Sequence, residues 1–166
     1  TRWPAVPYVL PFALFMLLLA VLPMTGVGPL TDQIIRLVVV GGAVLLVSRS
    51  VLDFSVRHWV GTLAVGVGVF LLWIAPDLMF ADYRDSWLFR NSLLGEGGSS
   101  LAEAGRGDPA TLVLRSFRAA ILVPIVEELF WRGWLPRWIS NPDFQKVALG
   151  SYTRAAFWIT ALLFAS

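Results

Sequence analysis

The sequence predicts an all-α fold, a polytopic bundle of transmembrane helices, and three observations predict it. Hydrophobic residues fill 57% of the 166 positions and charged residues only 14%, where a soluble domain carries about one-quarter charge. Apolar runs recur at the length that crosses a bilayer, about 20 residues in a helix. Eight tryptophans in so short a chain suit a protein with much bilayer interface, where the indole buries its ring and keeps its N–H wet. Trp3, Trp59 and Trp73 each sit near an end of an apolar run. A single membrane domain over residues 1–166 is the expected organisation, with the lipid bilayer as its principal partner.

Taken in order, no charge occurs between Arg2 and Asp32, and Val6 to Met24 spans about 28 Å as a helix. This is the first span. A cleaved signal peptide is the competing reading, but the run lacks a small-x-small cleavage site and further spans follow it. Leu30 to Ser48 is the second span, with Arg36 expected to snorkel from it to the headgroups. Trp59 to Pro76 carries no charge, and 59–75 is the third span. Its Gly61, Ala64, Gly66 and Gly68 allow close helix approach, so an interior position is expected.

From Asp77 to Pro109 the character changes to a connector. Leu78 to Leu94 mixes aromatics and charges as an interfacial helix does, an ordinary loop being the alternative, and Gly95 to Gly107 is flexible by composition. Asp108-Pro109 reads as a helix start with proline at the first position, opening a span over 111–138. Ala155 to Ser166 begins another apolar run of only twelve residues, too short to cross a bilayer, and the last helix is expected to be truncated. Basic residues are spread evenly over the loops, so orientation is not fixed by charge.

Several function classes are excluded or disfavoured. The formal charge is +2 with no basic stripe to neutralise phosphates, so no nucleic acid is expected. The absence of cysteine removes thiolate nucleophiles and Cys-ligated metals.

Chemistry concentrates in Pro124 to Trp138. Glu127 and Glu128 lie between the apolar run Ile121 to Val126 and the aromatics Phe130, Trp131 and Trp134, where ionisable groups cost free energy unless paired or facing a wet cavity. Arg132 follows Glu128 by four, so those two pair naturally on a helix. Glu127 points about 100° away and is left for other work. A desolvated carboxylate is suited to taking and returning a proton near neutral pH. Pro124 removes the helical bond to the Ala120 carbonyl and is expected to bend the helix one turn before the acids. The bland alternative, an interfacial charge cluster anchoring a helix end, accounts for the spacing equally well.

Glu127, Glu128, Arg132 and Gly133, within VPIVEELFWRGWLPRWI, match the EExxxRG motif, and the chain thereby resembles the CAAX-protease and bacteriocin-processing (CPBP) family of intramembrane metalloproteases. Asp143-Phe144, Val147 and Gly150 are similar to the branch associated with exosortase and PEP-CTERM sorting, which implies a bacterial inner (cytoplasmic) membrane. The resemblance is strongest from about Arg115 onward. It implies that Glu127 polarises the attacking water, that Glu128 and Arg132 hold the site together, and that the substrate is a membrane-anchored peptide with a prenylated or sorting-signal-bearing tail. It also implies a divalent metal, zinc, held by later histidine motifs in the full-length protein. Phe164-Ala165-Ser166 looks like the start of the first of these, the family's second motif, Phe-x-x-x-His, with its histidine falling two positions past Ser166.

The visible residues support no metal ligand set: His58 alone cannot supply the three protein ligands usual in catalytic zinc sites, and it reads as an ordinary interfacial residue. The chain as given is therefore expected to be inactive. Two other functions compete with the peptidase: a non-catalytic structural subunit contacting membrane protein partners, and an ion or proton pathway through Glu127 and Glu128.

Overall fold

The computed structural model describes residues 3–53, 55, 58–80 and 107–165. Among them every regular element is helical, as lipid demands of a chain that must satisfy its own backbone. Four helices are long and apolar enough to cross a membrane: Val6–Thr25, Pro29–Ser48, Trp59–Pro76 and Pro109–Ser140. We label the elements α1 (Val6–Val21, extended by a 3-10 turn over Leu22–Thr25), α2 (Pro29–Ala43, continued by π turns over Val44–Ser48), α3 (Trp59–Met79), α4 (Pro109–Ser140) and α5 (Arg154–Ala165). The expected interfacial helix over Leu78 to Leu94 and the connector after it lie outside the described residues beyond Phe80, apart from Gly107 and Asp108.

The chain forms two compact units, residues 1–52 with 101–166 and residues 53–100. In the second, α3 begins at Trp59, directly after the exposed His58. Thr62 ties back to the His58 carbonyl through both its amide and its hydroxyl. The interior position expected for α3 stays an expectation.

In the first unit α1, α2 and α4 meet around Val40, Val44, Leu122 and Val126, with Phe12, Phe15 and Leu18 packed against them. Apolar packing in lipid gains little from leaving water, so close van der Waals fit and interhelical hydrogen bonds carry the association. Met16, Leu17, Val38, Leu45 and Leu46 are left exposed on the outer faces, the surface that acyl chains cover.

Prolines decide where hydrogen bonds cross between helices. Pro11 has no N–H to give the Pro7 carbonyl one turn back, and the buried Ser48 hydroxyl donates to that carbonyl instead. This single bond fastens the end of α2 to the start of α1. In α4, π turns over Arg118–Leu122 and Glu128–Trp134 each end two residues before a proline, Pro124 and Pro136. The wider turn shifts bonds to the i−5 carbonyl, as in Val123 N–H to Arg118 O and Leu135 N–H to Phe130 O. It thereby eases the ring clash that a proline imposes on a tighter helix. A π turn therefore stands where the sequence led us to expect a bend.

Arg36 departs from expectation. Far from reaching the headgroups, it is 5% exposed and gives both Nε and Nη2 to Asp32 Oδ1, at 3.0 and 2.7 Å. Gln33 donates to the other oxygen of Asp32 and accepts from Arg118 Nε of α4. An acceptor one turn away inside the protein satisfies the guanidinium without stretching it along the helix.

The start of α4 is capped as expected. Asp108 accepts from the amides of Ala110 and Thr111 at 3.2 and 3.1 Å and from the Thr111 hydroxyl, which holds its carboxyl below the usual carboxylate range. At the other end, Arg137 gathers residues 141–153 against α4 by donating to the carbonyls of Gly133 and Val147, at 2.9 and 2.8 Å. Its guanidinium also lies over the Phe144 ring. The Ser140 hydroxyl accepts from Thr153 N–H, and Thr153 caps α5 by accepting from Ala156. Gly150 has φ of 83°, a left-handed turn that favours glycine.

Candidate active-site groove

The motif residues fall on the seven-residue π segment of α4 and the residue before it. Aromatic rings lock this segment in place. Phe12 of α1 stacks on Phe130 with centroids 4.1 Å apart, and Trp131 meets Phe164 of α5 edge-on at 5.4 Å. At Gly133 α1 passes close by: a Cβ there would stand 2.9 Å from Cδ1 of Tyr8, so the glycine of EExxxRG is needed for the ring to pass.

Between α4, residues 149–152 and α5 lies a groove of about 830 Å³. Pro124, Glu127, Glu128, Trp131 and Arg132 line its α4 side, while Tyr152, Phe157, Thr160 and Phe164 line the opposite side. Arg132 Nη1 donates to Glu128 Oε2 at 3.0 Å, the i,i+4 pair expected from spacing, with side chains 77% and 57% exposed. Glu127 is half-buried and has no hydrogen bond or ion pair among the described residues. The two glutamates thus divide as anticipated, one paired and one free.

Their placement differs in one respect. Glu127 was expected about 100° around the helix from the pair, yet all three side chains border the same groove. The groove is broad and open, so neighbours about 100° apart around the helix both reach it. Neither carboxylate is sealed in apolar surroundings, and a substrate or water can approach both.

Tyr152 and Thr160 had no signal in the sequence, since only the return of α5 alongside α4 brings them to the groove. Arg137 likewise contributes through contacts formed by the fold. The Thr160 hydroxyl and the Trp134 indole N–H are buried without a partner among the described residues, orphan polar groups of the kind that accompany functional sites. Phe144, Val147 and Gly150 acquire physical roles: a buried ring against Tyr8, the acceptor for Arg137 and the left-handed turn.

No group of three or more His, Cys, Asp or Glu able to hold a metal occurs among the described residues. Glu127 and Glu128 are fewer donors than a catalytic zinc requires from protein, so these residues alone do not fit the zinc that the resemblance implies.

Fold and site together define a membrane-helix protein with a groove on its fourth long helix, lined by two glutamates and two arginines. Residues 109–166, the portion that builds the groove, match the family model described as type II CAAX prenyl endopeptidase Rce1-like. This match supports the CPBP resemblance and an intramembrane protease of the CAAX-protease kind. No curated protein and no solved structure matches the chain.

Proposed function

We propose that this protein is an intramembrane endopeptidase of the CAAX-protease kind and that Glu127 is its general base. The observation that carries the proposal is the free carboxylate of Glu127 beside the closed Glu128–Arg132 pair, in one groove on a helix of membrane-crossing length. Glu127 takes a proton from water as its oxygen attacks the scissile carbonyl carbon, then returns that proton to the departing amine nitrogen. Glu128 and Arg132 hold each other in the groove wall and keep that guanidinium away from the base.

The substrate class is a membrane-anchored peptide, bearing a prenylated or sorting-signal tail. An apolar wall of Leu149, Phe157 and Phe164 facing the charged residues suits a segment that is apolar along its side chains and polar along its backbone. Affinity to the exosortase-associated branch, and with it a bacterial inner membrane, belongs to this proposal too.

The test compares the gene-encoded protein with its Glu127→Gln form in detergent, on membrane-anchored peptides, by product mass. Gln keeps the size and most hydrogen bonds but cannot shuttle the proton. Loss of product with unchanged helicity is the expected result; equal cleavage by both forms removes Glu127 as the base.

A further inference from the structure

Among the described residues Arg118 forms no ion pair. It lies nine residues past Pro109, about 14 Å along α4, within a helix of membrane-crossing length. Its Nε donates to Gln33 Oε1 at 3.0 Å, and no other hydrogen bond or ion pair engages it among the described residues. The nearby carboxylate is occupied: Asp32 Oδ1 takes Nε and Nη2 of Arg36, and Oδ2 takes Gln33 Nε2. Both terminal nitrogens of Arg118 are therefore left with hydrogens to donate. Arg36, held on Asp32, adds positive potential to the same spot. The guanidinium cannot shed its proton to escape the membrane, so its two terminal nitrogens suit an anion beside them.

From this geometry we infer that Arg118 binds the phosphate of an anionic glycerophospholipid in the leaflet where α2 and α4 begin. The surroundings select the lipid form of phosphate. Arg118 is half-buried, and the residues flanking its outer side, Phe117 and Ile121, are apolar and exposed at 51% and 47%. An acyl chain covers those two side chains while its headgroup meets the guanidinium. The planar fork of donors fits two phosphate oxygens at once. Gln33 fixes the fork by holding Nε, leaving Nη1 and Nη2 as the binding pair. This site is separate from the groove and stands whether or not the protein is a peptidase.

Native mass spectrometry of the 166-residue chain, equilibrated with equal amounts of phosphatidylglycerol and phosphatidylcholine, tests the inference. Wild-type protein should retain phosphatidylglycerol preferentially, and Arg118→Gln should reduce that preference roughly fivefold, the weight of one basic residue at an anionic leaflet. Arg118→Lys should keep part of the preference, and Arg154→Gln, an exposed arginine at the start of α5, should keep all of it. Inorganic phosphate at millimolar concentration should not displace the lipid. Equal retention of the two lipids by wild type, or an unchanged preference in Arg118→Gln, overturns the proposal. Displacement by inorganic phosphate overturns its lipid part and leaves a free-anion site. Should Arg118→Gln fail to fold, thermal stability of wild type in the two lipids decides: no gain from phosphatidylglycerol counts against the site.

Discussion

Two ion pairs of the same spacing occupy opposite circumstances in this protein. Asp32–Arg36 on α2 and Glu128–Arg132 on α4 each set an acid four residues before an arginine, at 2.7 and 3.0 Å. In the first pair the arginine and aspartate side chains are 7% and 17% exposed; in the second the arginine and glutamate are 77% and 57% exposed. The buried pair has every oxygen of its acid engaged and joins two helices through Gln33 and Arg118. Among the described residues the open pair joins nothing beyond its own helix and stands beside a carboxylate with no partner. Spacing alone gives both pairs; what surrounds them separates a tie between helices from a candidate site.

That contrast can be broken in graded ways. The largest effect should come from Glu127→Gln in the gene-encoded protein, with turnover of membrane-anchored peptides lowered by about 10²- to 10⁴-fold, the usual weight of a general base. Assigning the open region to mere helix anchoring would instead predict no change in turnover. Next, Asp32→Ala should strand Arg36 in the interior and cost roughly 3–5 kcal/mol, read as a lower denaturation midpoint in micelles. Glu128→Ala, by the same measurement, should cost less than about 1 kcal/mol. Similar losses from the two would erase the distinction between the pairs.

Gly133→Ala should follow at roughly 1–3 kcal/mol from overpacking against Tyr8, and Tyr8→Leu in the same chain should recover part of it. No recovery would mean that the ring is not what requires the glycine. The smallest effect belongs to Asp108. Its folded pKa is depressed by the Thr111 hydroxyl and backbone amides, so its cap is complete above the ordinary carboxylate pKa and is lost as pH falls through the folded value. Acid below the ordinary carboxylate range should loosen the first turn of α4 in amide exchange, and Asp108→Ala should show that loosening already at neutral pH.

The spans were legible because uninterrupted apolarity at bilayer length has few other meanings, and Val6–Thr25 and Pro29–Ser48 fall within a residue of the expected limits. Glu128 with Arg132 was legible for a local reason, since one helical turn connects them. Arg36 was misread because a charge a few residues inside an apolar run looks the same whether it snorkels or pairs. Its environment includes Arg118, which reaches Gln33 across 85 positions of chain, and no local pattern carries that. The glycine of the motif was recognised, but Tyr8, which requires it, lies on the first helix. Thr160 and Tyr152 reach the groove only through the turn held by Arg137, whose acceptors are carbonyls and so leave no trace in residue types.

The π segments of α4 also act as a phase adjustment. Each turn bonded to the fifth residue back carries one residue more than an ordinary turn, so the helix after it is clocked by about 100° relative to an unbroken one. A helical wheel drawn straight through Pro109–Ser140 therefore assigns its last residues to the wrong face. Removing one residue between Glu128 and Trp134 would let that stretch relax to ordinary pitch and would rotate Pro136 and Arg137 as a block. Arg137 would then swing off Gly133 and Val147, and the wall of the groove built by residues 149–152 would lose its fastening although Arg137 and those residues were themselves unchanged.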